Sequence, residues 1–160
     1  TPLYSSAASD VYKRQDVDKD RCGIPKIVFD SGMPITMVGW DNSYKYAMLK
    51  DKEIGELKAI KTKYADFTVD IQKVLAELTY KTYGFHGFDL PDPITIAIAI
   101  DNSIIEESQQ LHVLIDTRDG FTRGQTIVDY FNAEQKEQNV RVVTKSSKEK
   151  FMKLLIESVS

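Results

Sequence analysis

Pro34-Ile35-Thr36-Met37-Val38-Gly39-Trp40 decides how this chain folds. From Ile35 to Trp40 the run is continuously apolar or β-branched, the pattern of a strand buried on both faces of an α/β sheet. Asp41-Asn42-Ser43 closes it with turn chemistry. Ahead of it, Ile24 to Ser31 reads as a short helix. Ile24, Ile27 and Val28 share one face there, and Ser31-Gly32 supplies a stop.

Downstream, Asp51 to Ile60 is a modest helix with Ile54, Leu57 and Ile60 inward. Lys63 to Tyr80 is the strongest helical pattern: Tyr64, Phe67, Ile71, Val74, Leu75 and Leu78 recur at three-and-four spacing, which predicts one long helix with this face inward. Thr82 to Asp89 is an aromatic loop containing glycine. Leu111 to Thr117 and Thr126 to Tyr130 are strands, and Asp119-Gly120 between them is a hairpin signal. Asn139 to Thr144 is a further strand. Ser146 then caps a last helix through Ile156, with Phe151, Leu154 and Leu155 inward. His112 falls inside a strand and Trp40 in the core. Helices mixed with buried strands predict an α/β domain with a mixed, mostly parallel sheet flanked by helices and a C-terminal β-hairpin.

The stretch with chemical promise is Leu90-Pro91-Asp92-Pro93, opening the apolar run Ile94 to Ile100. Pro93 fits the first helical position, where its missing N–H costs nothing. Asp92 then falls at the N-cap, facing unpaired backbone donors and the positive end of the dipole. Either it only caps a buried helix, or it holds a carboxylate at the mouth of a pocket.

Composition narrows the classes. The chain has 160 residues, 42% apolar and 28% charged, which suits one soluble domain with a real core. A net charge of −3 gives no basic footprint for nucleic acid. No apolar run reaches the ~18 residues of a membrane-spanning helix. The single cysteine, Cys22, excludes an internal disulfide framework and is compatible with a reducing cytoplasm. Residues 1–15 show neither helical nor strand periodicity; they resemble translated adapter sequence and are expected to be disordered and non-native. The domain proper is then residues 16–160.

Three blocks in order carry a family resemblance. They are Val28-Phe29-Asp30-Ser31-Gly32-Met33-Pro34-Ile35-Thr36-Met37-Val38-Gly39-Trp40-Asp41, then Asp92-Pro93 with its apolar helix, then Thr122-Arg123-Gly124-Gln125-Thr126-Ile127-Val128-Asp129. Together they resemble the C-terminal half of the inosine/uridine-preferring nucleoside hydrolases. The resemblance implies an α/β fold of that type, truncated here. The implied activity is hydrolysis of the N-glycosidic bond of ribonucleosides to ribose and free base, in cytoplasmic nucleoside salvage. The implied cofactor is Ca²⁺, and the implied partners are a nucleoside substrate and, for the full-length protein, further copies of itself.

Carried over residue by residue, Asp92 matches the aspartate of the family's Asp-Pro motif, a Ca²⁺ ligand near the ribose hydroxyls. A hard cation with oxygen ligands suits that task. Tyr83 and His86 lie in the loop where family members carry residues that touch the base; a packed or solvent-facing aromatic loop is the other reading. Arg123 belongs to a family landmark and is assigned a structural role.

Two departures stand out. Many members have a histidine before the Asp-Pro aspartate that helps the base leave, and here that position is Pro91, which moves no proton. The family's N-terminal aspartate cluster, which supplies the general base and most metal ligands, does not occur. One carboxylate cannot satisfy the roughly six to eight oxygens that Ca²⁺ takes. The isolated chain is therefore expected to be inactive, with no catalytic residue of its own. A domain that keeps the fold and binds ligands or partners without chemistry is the alternative. Loss of neighbouring strands is expected to leave Ile35–Trp40 with an open edge prone to self-association.

Overall fold

The computed structural model describes residues 3–5 and 23–160. The elements in chain order are β1 (Leu3–Ser5), α1 (Gly23–Phe29), β2 (Ile35–Val38), α2 (Trp40–Tyr46), β3 (Met48–Lys50), α3 (Asp51–Ala59), α4 (Lys63–Asp70), α5 (Lys73–Tyr83), β4 (Gly87–Asp89), α6 (Pro91–Ile100), β5 (Ile105–Ile115), β6 (Thr126–Asp129), β7 (Val140–Ser146) and α7 (Lys148–Val159), with a short 3₁₀ turn at Asn102–Ile104. They divide into two compact units, Thr1–Trp40 with Ile105–Lys145, and Asp41–Ile104 with Ser146–Ser160. Cys22 and most of residues 1–15 lie outside the described residues.

The first unit is built on a five-stranded mixed sheet in the order β1-β2-β7-β5-β6. β2 runs parallel to β1 on one side and to β7 on the other, while β5 and β6 form an antiparallel hairpin. All four β2 residues are buried, as the apolar run requires. The open edge expected for this strand is absent: Leu3, Tyr4 and Ser5 pair with Ile35, Thr36 and Met37. The core joins Phe29, Ile35, Met37, Val113, Val140 and Val142, with α1 covering the sheet. Asn139 ties three parts of this unit. Its amide donates to Phe29 O at 3.0 Å and Val113 O at 2.9 Å, and its Oδ1 accepts from Val113 N–H at 2.8 Å.

The β5–β6 turn is held by a buried carboxylate. Asp116 accepts from Arg118 Nε at 2.9 Å and Nη2 at 3.1 Å, and from the Thr122 hydroxyl at 2.7 Å. The Arg118 guanidinium, then Thr122, hold its carboxyl well below the usual carboxylate range. Arg123 donates to Thr117 O and to Asp119, which fits a structural role in the turn. His112 is half-buried on β5, its ring Nδ1 2.9 Å from Glu137 O.

The second unit gathers six helices and the two-stranded antiparallel sheet β3-β4. Its centre is α6, whose Ile94, Thr95, Ala97 and Ile98 are buried. Ile96 and Ile100 are nonetheless exposed, so this helix is less enclosed than its composition implies. Leu49, Leu57, Phe88 and Phe151 complete the core. Lys148 donates to Met48 O and pairs with Glu53 at 2.6 Å, joining α7, β3 and α3.

Several expectations need correcting. Asp41-Asn42-Ser43 does not end a strand in a turn; it lies in α2, where Asn42 and Ser43 are fully buried. Asn42 Oδ1 accepts from the Ser146 hydroxyl at 2.9 Å, and long-range partners of this kind override local turn preference. Trp40 opens α2 and is 40% exposed rather than part of the core. Ser147, not Ser146, caps α7, its side chain accepting from Lys150 N–H. The long helix expected over Lys63–Tyr80 is two, α4 and α5, broken at Ile71-Gln72. Its large apolar face points outward; the inward side uses Ala65, Val69 and Thr79, which let the helices approach closely. Among the described residues no helix is long and apolar enough to cross a membrane.

Candidate functional site

The segment from Gly84 to the first turn of α6 is positioned within the second unit by main-chain contacts. α5 stops at Gly84, whose φ of 75° places it in the left-handed region and whose N–H donates to Tyr80 O at 2.9 Å. The chain then returns as β4, registered against β3 through Met48↔Asp89, Leu49↔Phe88 and Lys50↔Gly87. Gly87 passes so close to β3 that a Cβ there would stand 2.6 Å from Leu49 O. Phe88 is 1% exposed and anchors the segment, and Leu90 N–H donates to Ala47 O at 3.2 Å.

The helix that follows starts earlier than its sequence suggests. Leu90 occupies the N-cap and Pro91, not Pro93, the first helical position, so Asp92 is second and Pro93 third. Leu90 O accepts from Ile94 N–H at 3.1 Å, and the Thr95 hydroxyl donates to Pro91 O at 2.8 Å. Asp92 is therefore not the N-cap. It stands exposed in the first turn, where backbone N–H groups and the helix dipole favour negative charge.

Aromatic rings surround the loop before it. His86 stacks on Tyr80, with centroids 4.2 Å apart and planes 10° from parallel. Tyr83 meets Phe85 at 6.3 Å, and the Lys50 ammonium lies 5.2 Å from the Phe85 ring centroid. Tyr80, Tyr83 and His86 are all exposed. The structure thus pairs Tyr83 and His86 with different rings rather than with each other. Tyr80, Asp89 and Ser43 are the residues the sequence reading did not single out. The Ser43 hydroxyl donates to Asp89 at 3.2 Å. Tyr80 sits in a helical apolar pattern, and nothing local marks it as the partner of a loop histidine.

The chemistry available is an exposed carboxylate beside a helix N-terminus and exposed planar rings on the preceding loop. Carboxylate oxygens suit a sugar diol or a hard cation, and rings suit a planar base. Among the described residues, no group of three or more His, Cys, Asp or Glu side chains is placed to hold a metal ion. Asp92 by itself does not fit the oxygen-rich cage of Ca²⁺.

Comparison with known proteins gives this arrangement a context. The profile of the family "Inosine-uridine preferring nucleoside hydrolase" matches residues 25–153. The pyrimidine-specific ribonucleoside hydrolase RihA of Shewanella sp. (strain ANA-3) is 32% identical over 137 residues, covering 84% of this chain and 42% of that protein. The corresponding protein of Enterobacter sp. (strain 638) is 28% identical over 136 residues, covering 84% and 43%. Among solved structures, the purine-preferring ribonucleoside hydrolase from Gardnerella vaginalis aligns with a TM-score of 0.68 at 25% identity, covering 84% of this chain and 42% of that one. A plant nucleoside hydrolase aligns with a TM-score of 0.74 at 21% identity, covering 84% and 44%, which shows the shared fold. The chain spans about four tenths of the length of the relatives it matches. On these grounds it belongs to the inosine-uridine preferring nucleoside hydrolase family.

Proposed function

We propose that this chain is the C-terminal part of a ribonucleoside hydrolase, which splits the N-glycosidic bond of a ribonucleoside to ribose and free base in cytoplasmic nucleoside salvage. The observation that carries the reading is the family match across residues 25–153, within which Asp92 of the Asp-Pro motif stands exposed on the first turn of α6. In this reading Asp92 bears on the ribose hydroxyls and supplies one oxygen ligand to a Ca²⁺ whose other ligands come from outside this chain. Tyr83 and His86, the latter backed by Tyr80, present ring faces and edges to the base. Pro91 has no proton to donate, so the leaving base receives none from that position. The hydrolase assembles from more than one copy.

The test has two arms. The longer gene product containing this chain is assayed with purine and pyrimidine ribonucleosides, reading free base and ribose. Hydrolysis is expected, and Asp92→Asn should lower kcat/KM by about 100-fold or more, the scale of a few kcal/mol of lost charge stabilisation. The 160-residue chain alone is titrated with Ca²⁺ while its melting is followed. Occupancy at 100 times Kd would add about 2.7 kcal/mol of stability, so a flat profile is expected and a clear rise would show the cage to be complete within it. Absence of hydrolysis by the longer product refutes the reading. It would favour the alternative of a non-catalytic ligand-binding domain, which rests on Pro91 standing where a proton donor would serve.

A further inference from the structure

Asn42 and Ser43 are adjacent polar residues of the seven-residue helix α2, and both are 0% exposed. A buried amide or hydroxyl costs free energy unless it is hydrogen-bonded, so their partners matter. The two side chains reach different helix starts. Asn42 Oδ1 accepts from the Ser146 hydroxyl at 2.9 Å, one residue before the cap of α7. The Ser43 hydroxyl donates to Asp89 at 3.2 Å, one residue before the cap of α6. The first tie leads to a helix with no part in the proposed reaction. The second leads to the turn that carries Asp92.

Three ties converge just ahead of Asp92. Besides the Ser43 bond, Leu90 N–H donates to Ala47 O at 3.2 Å, and Asp89 is registered against Met48. Only Leu90 and Pro91 separate Asp89 from Asp92. That link is stiff. The rings of Pro91 and Pro93 lock their own φ, and each proline restricts the residue before it, here Leu90 and Asp92. A shift at Asp89 therefore carries into Asp92 instead of being absorbed on the way. We infer that Ser43 is a positioning residue: by holding the Asp89 carboxylate, it fixes where the Asp92 carboxylate stands for the ribose hydroxyls. The inference rests on the hydrolase reading, in which Asp92 bears on those hydroxyls. The main-chain ties set the path of the chain, and the side-chain tie sets the last fraction of an ångström. Catalysis is sensitive on that scale, since a misplacement of about 1 Å costs up to ~100-fold in rate.

Steady-state hydrolysis of inosine and uridine by the longer gene product tests it. Ser43→Ala keeps the main-chain ties and should lower kcat/KM about 10-fold. Ser146→Ala removes the other α2 tie, also from a buried residue, and should leave kcat/KM within about twofold of wild type. In an Asp92→Asn background Ser43→Ala should cost nothing further, because residues that act through one group are not additive. Amide exchange of the same product reads the tie without activity. Ser43→Ala should speed exchange at Leu90 and Ile94 N–H, and not at Phe151 N–H in α7. Unchanged kcat/KM in Ser43→Ala overturns the inference. So does an equal loss in Ser146→Ala, or a further 10-fold loss on top of Asp92→Asn; either makes Ser43 a residue that only holds the fold. Exchange equal to wild type at Leu90 and Ile94 overturns the tie itself. A wild-type product that hydrolyses neither nucleoside sinks the hydrolase reading, and this role with it, whereas an active wild type with an unaffected Ser43→Ala sinks this role alone.

Discussion

Asn139 offers the sharpest test of how the first unit is held. Its side chain makes three hydrogen bonds of 2.8 to 3.0 Å, to Phe29 O and to both main-chain groups of Val113. Its own N–H also donates to Leu111 O, a bond that any residue other than proline keeps. Asn139→Ala therefore removes only the three side-chain bonds. Each is worth a net ~0.5–1.5 kcal/mol, and the groups left behind are largely shut off from water, so a loss of about 3 kcal/mol is expected. Urea unfolding of a protein this size has a slope of roughly 2 kcal/mol per molar, which translates to a midpoint about 1.5 M lower. Asn139→Asp is the controlling variant. It keeps the acceptor but turns two donors into a carboxylate facing carbonyl oxygens, so it should cost at least as much. The measurement is urea unfolding followed by circular dichroism. A midpoint within about 0.3 M of wild type at unchanged slope, or an aspartate variant as stable as the parent, would refute the claim that this side chain is a tertiary tie.

Two further outcomes are expected. Gly87→Ala puts a methyl 2.6 Å from Leu49 O, so β4 must shift; about 2 kcal/mol of stability and several degrees of Tm should be lost, and an unchanged melt would contradict the close approach. Asp116 is held ionised by Arg118 and Thr122, with a folded pKa below its unfolded value of about 3.9. The stability it contributes is present above about pH 4 and lost as pH falls further. Unfolding midpoints should thus be level from about pH 5 to 7 and drop in stronger acid. Asp116→Asn should be less stable at neutral pH and show a shallower acid drop; an identical acid slope would count against the turn network.

The features legible in the sequence are those with a strong one-dimensional period. The buried run at Ile35 marks β2, the hairpin signal at Asp119-Gly120 marks β5–β6, and the Phe151 pattern marks α7. Failures occur where distant partners decide. Asn42 and Ser43 carry turn chemistry, yet they are buried in a helix by Ser146 and Asp89, 104 and 46 residues away in sequence. β3 and β4 are three residues each, too short for any period to register. The α4–α5 stripe shows a further limit: periodicity reports that a helix has an apolar side, not whether the rest of the chain covers it. At the candidate site, Asp92 and the aromatic loop are visible through the Asp-Pro motif. Tyr80 is invisible because its role depends on how the chain reverses at Gly84.

Each compact unit is assembled from two separate stretches of chain, and this sets an order of events during synthesis. The helices from Asp41 to Ile104 leave the ribosome long before the segment they need. Thr62 donates to Val159 O, and Lys148 reaches Glu53, so those ties cannot form until residues 146–160 emerge. Through that interval α3, α4 and α6 hold exposed apolar faces without their closing element, and nascent chains are then most vulnerable to chaperone capture or misassembly.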